Sequence, residues 1–274
     1  MNPHITKIND IYVLDENRNN SFVAGNKIRK VKAILDVHDK INGILSYGSA
    51  YSSHLLACAW WSRKLQIPFK GIVIADKSIS IENFPNLKMS KILGADLTIT
   101  NINDAYKTID FWQHKLFDYL WIPGGAHTLE ASKSYEELFD KLFKHDSSLK
   151  QIESIILPYG TGTTAYGIWK SAQKYNPDLK IIGVSVSRNK EQCYNTISSI
   201  EGITEFNNLT IIDVFSGKYG IIDDKSTKNR WRFFDETSIL PDPIYNSRSV
   251  QYFYENNLKK TLIINTGGML NNLL

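Results

Sequence analysis

Along the chain, short apolar runs rich in Ile, Leu and Val alternate with stretches whose apolar positions recur at helical spacing. The runs are GILSYG (43–48), KGIVIAD (70–76), DLTIT (96–100), YLWIP (119–123), SIILPYG (154–160), KIIGVSV (180–186), TIIDVF (210–215) and TLIINTGG (261–268). Each is largely apolar on both faces and ends in Gly, Pro or small polar residues, the pattern of strands covered on both sides in a parallel sheet. Between them, residues 52–64, 87–94, 134–145 and 163–175 carry the period of amphipathic helices. Alternating β and α units predict an α/β fold with open, mostly parallel sheets flanked by helices. Four runs precede residue 124 and four follow residue 153, so two sheets with a cleft between them are expected, one crossing lying near Pro123-Gly124-Gly125.

Ligands of such sheets bind beyond the carboxyl ends of the strands. Three runs end in small-residue loops suited to this: SYGSAYSS, PYGTGTT and INTGG. In the second, Gly160-Thr161-Gly162-Thr163-Thr164 follows a strand and opens a helix. Glycines admit an anion close to the backbone, and the first helical N–H groups and the Thr hydroxyls can donate to phosphate oxygens. A plain strand-to-helix turn is the competing explanation. With Ala165 the stretch also satisfies G-x-G-x-x-A, but a dinucleotide site wants an acidic residue at the end of the next strand. Here that end carries Ser185, Ser187 and Arg188, which fit only an NADP-type phosphate.

Ala24-Gly25-Asn26-Lys27-Ile28-Arg29-Lys30 opens a helix continuing through Val31, Ile34 and Leu35. Three cations in four residues ordinarily mark a solvated helix face. The small Ala24-Gly25 pair would nevertheless let a flat ligand approach, and a lysine becomes a usable amine when burial or a neighbouring cation lowers its pKa. Arg29 and Lys30 are candidates for that role.

Composition narrows the classes. The 274 residues are 42% hydrophobic and 22% charged, with 32 basic against 28 acidic residues and a net charge of +4. No like-charge block or basic-aromatic stripe supports nucleic-acid binding. Cys58 and Cys193 form no metal or redox motif and read as buried thiols. A polar N-terminus and the lack of a long apolar run make a cytoplasmic enzyme the expectation.

In order, GNKIRK, GILSYGSAYSSH, LKMSKILGADL, IPGGA, PYGTGTTA, SGKYG, PDPIYNSRS and NTGG resemble the fold-type-II pyridoxal-phosphate enzymes of the tryptophan synthase beta-like superfamily. The branch is that of D-cysteine desulfhydrase and 1-aminocyclopropane-1-carboxylate deaminase, and the resemblance spans about residues 11 to 270. It implies a homodimer with a small unit of residues 43–126 inserted in a large cofactor-binding unit of 1–42 and 127–274. It implies that Lys27 carries the cofactor as a Schiff base and that Gly160, Thr161, Gly162, Thr163 and Thr164 hold its phosphate. Ser52 is expected near the substrate, Tyr219 and Tyr245 facing it, and Ser53, Asn246 and Thr266 around the cofactor ring. The reaction implied is proton abstraction from Cα by the freed lysine and loss of a β-substituent, giving pyruvate and ammonia.

Two positions bear on substrate. The aminocyclopropane deaminases place a glutamate after the tyrosine and a leucine before the last Gly-Gly; this chain has Asn246 and Thr266. Neither is charged, which predicts a weaker electron sink and favours a good leaving group such as the thiolate of D-cysteine. Ser53 stands where the family usually has Asn, and Ala24 where it has Gly. Aminocyclopropane deamination, an NADP-binding oxidoreductase and a cofactor-binding protein without turnover are the alternatives.

Overall fold

A computed structural model describes residues 5–19, 25–215 and 217–274; Ala24 and Ser216 lie outside the described residues. Ten strands and nine α-helices run in the order β1 (Ile5–Ile8), β2 (Ile11–Asp15), α1 (Asn26–Leu35), β3 (Ile44–Ser49), α2 (Ser53–Leu65), β4 (Phe69–Ile74), α3 (Pro85–Ile92), β5 (Asp96–Thr100), α4 (Ala105–Lys115), β6 (Leu120–Ile122), α5 (Leu129–His145), β7 (Ser154–Tyr159), α6 (Thr163–Tyr175), β8 (Lys180–Ser185), α7 (Lys190–Ser198), β9 (Leu209–Ile212), α8 (Asp224–Thr237), α9 (Asn246–Glu255) and β10 (Thr261–Asn265) among the described residues. All eight apolar runs are strands.

The strands form two sheets. One has the order β1-β2-β10-β7-β8-β9, parallel except for the β1–β2 hairpin, and the other is the all-parallel β5-β4-β3-β6. The larger sheet is covered on both faces, which is why its strands do not alternate. Leu14, Ile155, Leu157, Ile181, Leu262 and Ile264 pack with Tyr135 and Phe139 of α5 and Tyr166 and Trp169 of α6. Their neighbours Val13, Ile156, Val184 and Ile263 pack with Phe233 of α8 and Val250 and Phe253 of α9. Each such burial contributes about 2 kcal/mol against the entropy of ordering the chain. A separate cluster joins the smaller sheet to α2 and to the apolar stripe of α1, Ile28, Val31, Ile34 and Leu35. Trp61 seals that contact by donating Nε1–H to the Ile28 carbonyl at 3.0 Å.

This strand order explains the site. β2, β10 and β7 are parallel neighbours, so their carboxyl ends open side by side. β2 leads through a 3-10 turn toward α1, β10 runs into Thr266-Gly267-Gly268, and β7 runs into residues 160–164. The hairpin strands β1 and β2 are additions to the sequence expectation. Among the described residues, no helix is long and apolar enough to cross a membrane.

Candidate active site

Three backbone contacts gather the candidate residues. The Asn26 N–H donates to the Thr266 carbonyl at 2.8 Å, and Gly25 bridges Gly267 across the same junction. Gly25 has φ of 113°, and a Cβ there would stand 2.8 Å from the Thr266 oxygen, so only glycine lets α1 begin this close to the end of β10. Asn26 Nδ2 then donates to Thr164 Oγ1 at 3.1 Å, joining the start of α1 to the start of α6. Lys27, residues 160–164, Ser53, Tyr245 and Thr266 consequently line one cleft of about 520 Å³ of interatomic space, part of it open to solvent.

Lys27 is half-buried as a residue, but its amine is surrounded by protein. Burial lowers its pKa to about 8, with a hydrogen bond to Lys30 acting in the opposite direction. The Gly125 carbonyl accepts from Lys27 Nζ at 3.4 Å and from Lys30 Nζ at 2.6 Å. Burial and the charge of Lys27 hold the Lys30 ammonium well below its ordinary range. Arg29, the other expected neighbour, points away: it meets Glu16 at 3.4 Å and lies over the Tyr135 ring. Helix geometry accounts for the difference, since residues three apart share a face and residues two apart do not.

At the loop, Gly162 is the N-cap of α6 with φ of 80° and no capping side chain, so the first N–H groups of the helix have no side-chain acceptor there. A Cβ on Gly160 would meet no heavy atom within 4 Å, which leaves the backbone open to a ligand. Thr161 and Thr163 hydroxyls stand 3.1 Å apart. His127 braces the loop, with Nδ1 3.1 Å from Thr163 Oγ1 and Nε2 3.1 Å from Ser199 Oγ. Burial first, and then Lys30, pushes its pKa down to about 4, so it is a neutral brace at neutral pH. Uncapped N–H donors, hydroxyls and two buried amines in one cleft form a donor set that fits a phosphate monoester bearing an aldehyde.

The remaining candidates fall in three places. Ser52 caps α2, accepting from the His54 N–H at 3.1 Å, while Ser53 reaches the cleft. Tyr219 Oη lies 2.6 Å from Ser49 Oγ and 2.5 Å from Tyr245 Oη, a continuous chain of hydroxyls. Burial raises both phenol pKa values, so both rings hold their protons at neutral pH. Asn246 is buried and its amide is fully engaged: Nδ2 donates to Asp242 and Gly267, and Oδ1 accepts from the N–H and hydroxyl of Thr266.

Residues 3–240 match the family described as pyridoxal-phosphate dependent enzyme. The chain belongs to that family. The match covers most of the chain, and it sets aside the NADP reading of Gly160–Ala165. At the level of individual relatives, a Pyrococcus horikoshii protein provisionally named as a 1-aminocyclopropane-1-carboxylate deaminase is 21% identical over 95% of this chain and 85% of its own length. A D-cysteine desulfhydrase of Salmonella choleraesuis is 23% identical over 94% of this chain and 87% of its own length. The crystal structure of an ACC deaminase homologue superposes with a TM-score of 0.82 at 17% identity, covering 99% of this chain and 91% of that one. A hydrogen sulfide-producing enzyme of Fusobacterium nucleatum gives 0.70 at 15% identity, over 98% and 96%. These superpositions establish the two-sheet fold, and the family establishes pyridoxal phosphate as the cofactor.

The Gly125 carbonyl, Ser49 and Asp242 are polar groups at or behind this cleft that the sequence did not single out; Lys30 was expected beside Lys27 and is there, but its hydrogen bond raises the Lys27 pKa rather than lowering it. An Asp preceding a helix start could have pointed to Asp242.

Proposed function

We propose that this chain is a lyase or deaminase acting on a small amino acid, most like D-cysteine desulfhydrase, releasing pyruvate, ammonia and sulfide by β-elimination. The observation that carries the reading is the buried Lys27 amine in one cleft with the uncapped start of α6. Lys27 would hold the cofactor covalently, residues 160–164 with Lys30 would hold its phosphate, and Ser53 and Thr266 would border its ring. Bound pyridoxal phosphate supplies an aldehyde to condense with the substrate amine and a ring that withdraws electrons from Cα.

The protein's own residues supply the proton movements. With its pKa lowered to about 8, Lys27 Nζ can act as a base near neutral pH and take a proton from Cα. That base favours substrates possessing a Cα proton, hence elimination over opening of a cyclopropane. Tyr219 and Tyr245, kept protonated and hydrogen-bonded to each other with Ser49 beyond Tyr219, can donate to a departing thiolate or to the substrate carboxylate. The N-terminal end of α2, with Ser52 and Ser53, offers N–H and hydroxyl donors to that carboxylate. Residues 1–42 with 127–274 as the cofactor unit, 43–126 as the small unit, and a cytoplasmic homodimer belong to the same proposal; the mass of the protein in solution tests the dimer.

Assays for pyruvate and sulfide with D-cysteine, L-cysteine and aminocyclopropane carboxylate test the reaction. D-cysteine is expected to give both products; no product from any amino acid supports cofactor binding without turnover instead. Condensation of the apoprotein with pyridoxal phosphate should depend on pH, because only the neutral amine attacks. Its rate is expected to rise about tenfold per pH unit at low pH and to level off through a midpoint near the Lys27 value of about 8. A midpoint near 10 in a stopped-flow absorbance series contradicts the buried amine. Gly162→Ala places a Cβ 2.2 Å from the Tyr159 hydroxyl at a φ of 80°, so the loop must shift. Cofactor affinity should fall by about tenfold or more, corresponding to roughly 1–3 kcal/mol of strain, as read by titration of the visible band.

A further inference from the structure

The sequence leaves position 246 uncharged, but a carboxylate stands behind it. Asp242 is almost fully buried and receives four N–H groups: Ile244 N at 3.0 Å and Tyr245 N at 2.9 Å on Oδ1, Asn246 N at 2.9 Å and Asn246 Nδ2 at 2.5 Å on Oδ2. Burial raises the Asp242 pKa, but the four donors oppose that shift and leave no acceptor for a carboxyl proton, so the geometry of the hydrogen bonds favours the ionised form. Arg230, whose guanidinium feels this charge, is hydrogen-bonded elsewhere, to Asn272 Oδ1 at 2.8 Å. Among the described residues, no salt bridge includes Asp242.

Asn246 transmits this polarity in one direction. Its Nδ2 faces two acceptors, Asp242 Oδ2 and the Gly267 carbonyl at 2.7 Å, which fixes the amide orientation. Its Oδ1 then accepts from Thr266 N at 2.9 Å and Thr266 Oγ1 at 3.1 Å. The Thr266 hydroxyl proton is committed to Asn246, so toward the cleft that oxygen offers only lone pairs. A neutral pyridine nitrogen, itself a lone pair, is repelled there; a protonated one donates a hydrogen bond and is attracted by the carboxylate behind.

We infer that Asp242, acting through Asn246, is a positioning residue that makes Thr266 a pure acceptor and so keeps the nitrogen of the bound cofactor ring protonated. The inference rests on the proposed placement of the ring against Thr266. It supplies from position 242 the charge found missing at 246 and 266, and it makes the electron sink strong where sequence reading made it weak.

The test is the ¹⁵N resonance of protein reconstituted with ring-¹⁵N pyridoxal phosphate at neutral pH, with borohydride mapping of Lys27 on the same sample. The wild-type resonance is expected at the pyridinium position, unchanged in Thr266→Ser and moved to the neutral-pyridine position in Thr266→Val and Asp242→Asn. A wild-type resonance at the neutral position, with the cofactor fixed on Lys27, overturns the inference and leaves the site intact. An unmoved pyridinium resonance in a folded Asp242→Asn variant overturns it equally. Asp242 also holds the N–H groups at the start of α9, so if that variant does not fold, the wild-type protein and the two Thr266 variants decide. A cofactor fixed on another residue overturns the site and the inference together.

Discussion

Lys27→Ala should produce a colourless protein with turnover reduced by at least about 10³-fold, within the range for loss of a positioned acid–base group and larger if covalent anchoring is counted. The fold should survive. Besides Lys30, Lys27 reaches only a long contact, 3.4 Å to the Gly125 carbonyl, among the described hydrogen bonds, and the stripe of α1 that packs on the smaller sheet does not include it. Removing it also takes away a charge that disfavours the Lys30 ammonium. The melting temperature of the apoprotein is therefore expected to hold or rise slightly. Parallel absorbance, turnover and melting measurements check this, and a variant that keeps its visible band and its rate would remove Lys27 from the mechanism. Added primary amines should restore part of the turnover if the lost function is that of a base.

Replacing either tyrosine of the hydroxyl chain should have the next largest effect. Tyr219→Phe and Tyr245→Phe are each expected to lower kcat by about 10²-fold or more while the cofactor stays bound, because each removes a proton donor and strands the other's hydrogen bond. The two hydroxyls are 2.5 Å apart and share a proton path to Ser49, so the double variant should cost little more than the worse single one. Multiplicative losses would mean that the two phenols act separately. Steady-state kinetics on the singles and the double, with a KM and kcat split, distinguish these outcomes.

Much of the fold was written in apolar runs, because strands buried on both faces need no alternation to be recognised. The elements that escaped have physical reasons. β1 lies at the sheet edge with a mixed burial pattern, and β2 is only five residues long within a polar stretch. α9 inverts the usual rule: Asn246, Ser247, Arg248, Ser249 and Gln251 are all buried, and their polar groups are satisfied internally. Only Val250 and Phe253 mark its buried apolar side, too short a stripe to stand out among buried polar residues. At the site, the Gly-Thr loop stood out by residue type and spacing, whereas Lys27 was singled out only by the family resemblance, three cations in four residues otherwise reading as a solvated face; both line the same cleft. The shared Gly125 carbonyl was not legible, because a backbone oxygen has no letter of its own. Asp242 was hidden because its effect passes through a neighbour four residues on.

In the proposed site, one cleft presents the Lys27 amine to a cofactor whose phosphate sits at residues 160–164. Reconstitution with pyridoxal phosphate, borohydride reduction and mass spectrometry of the peptides test this arrangement most directly. A visible band that disappears on reduction, with the pyridoxyl mass on Lys27, is the predicted result. A label on Lys30 or on a surface lysine, or none at all, would contradict it.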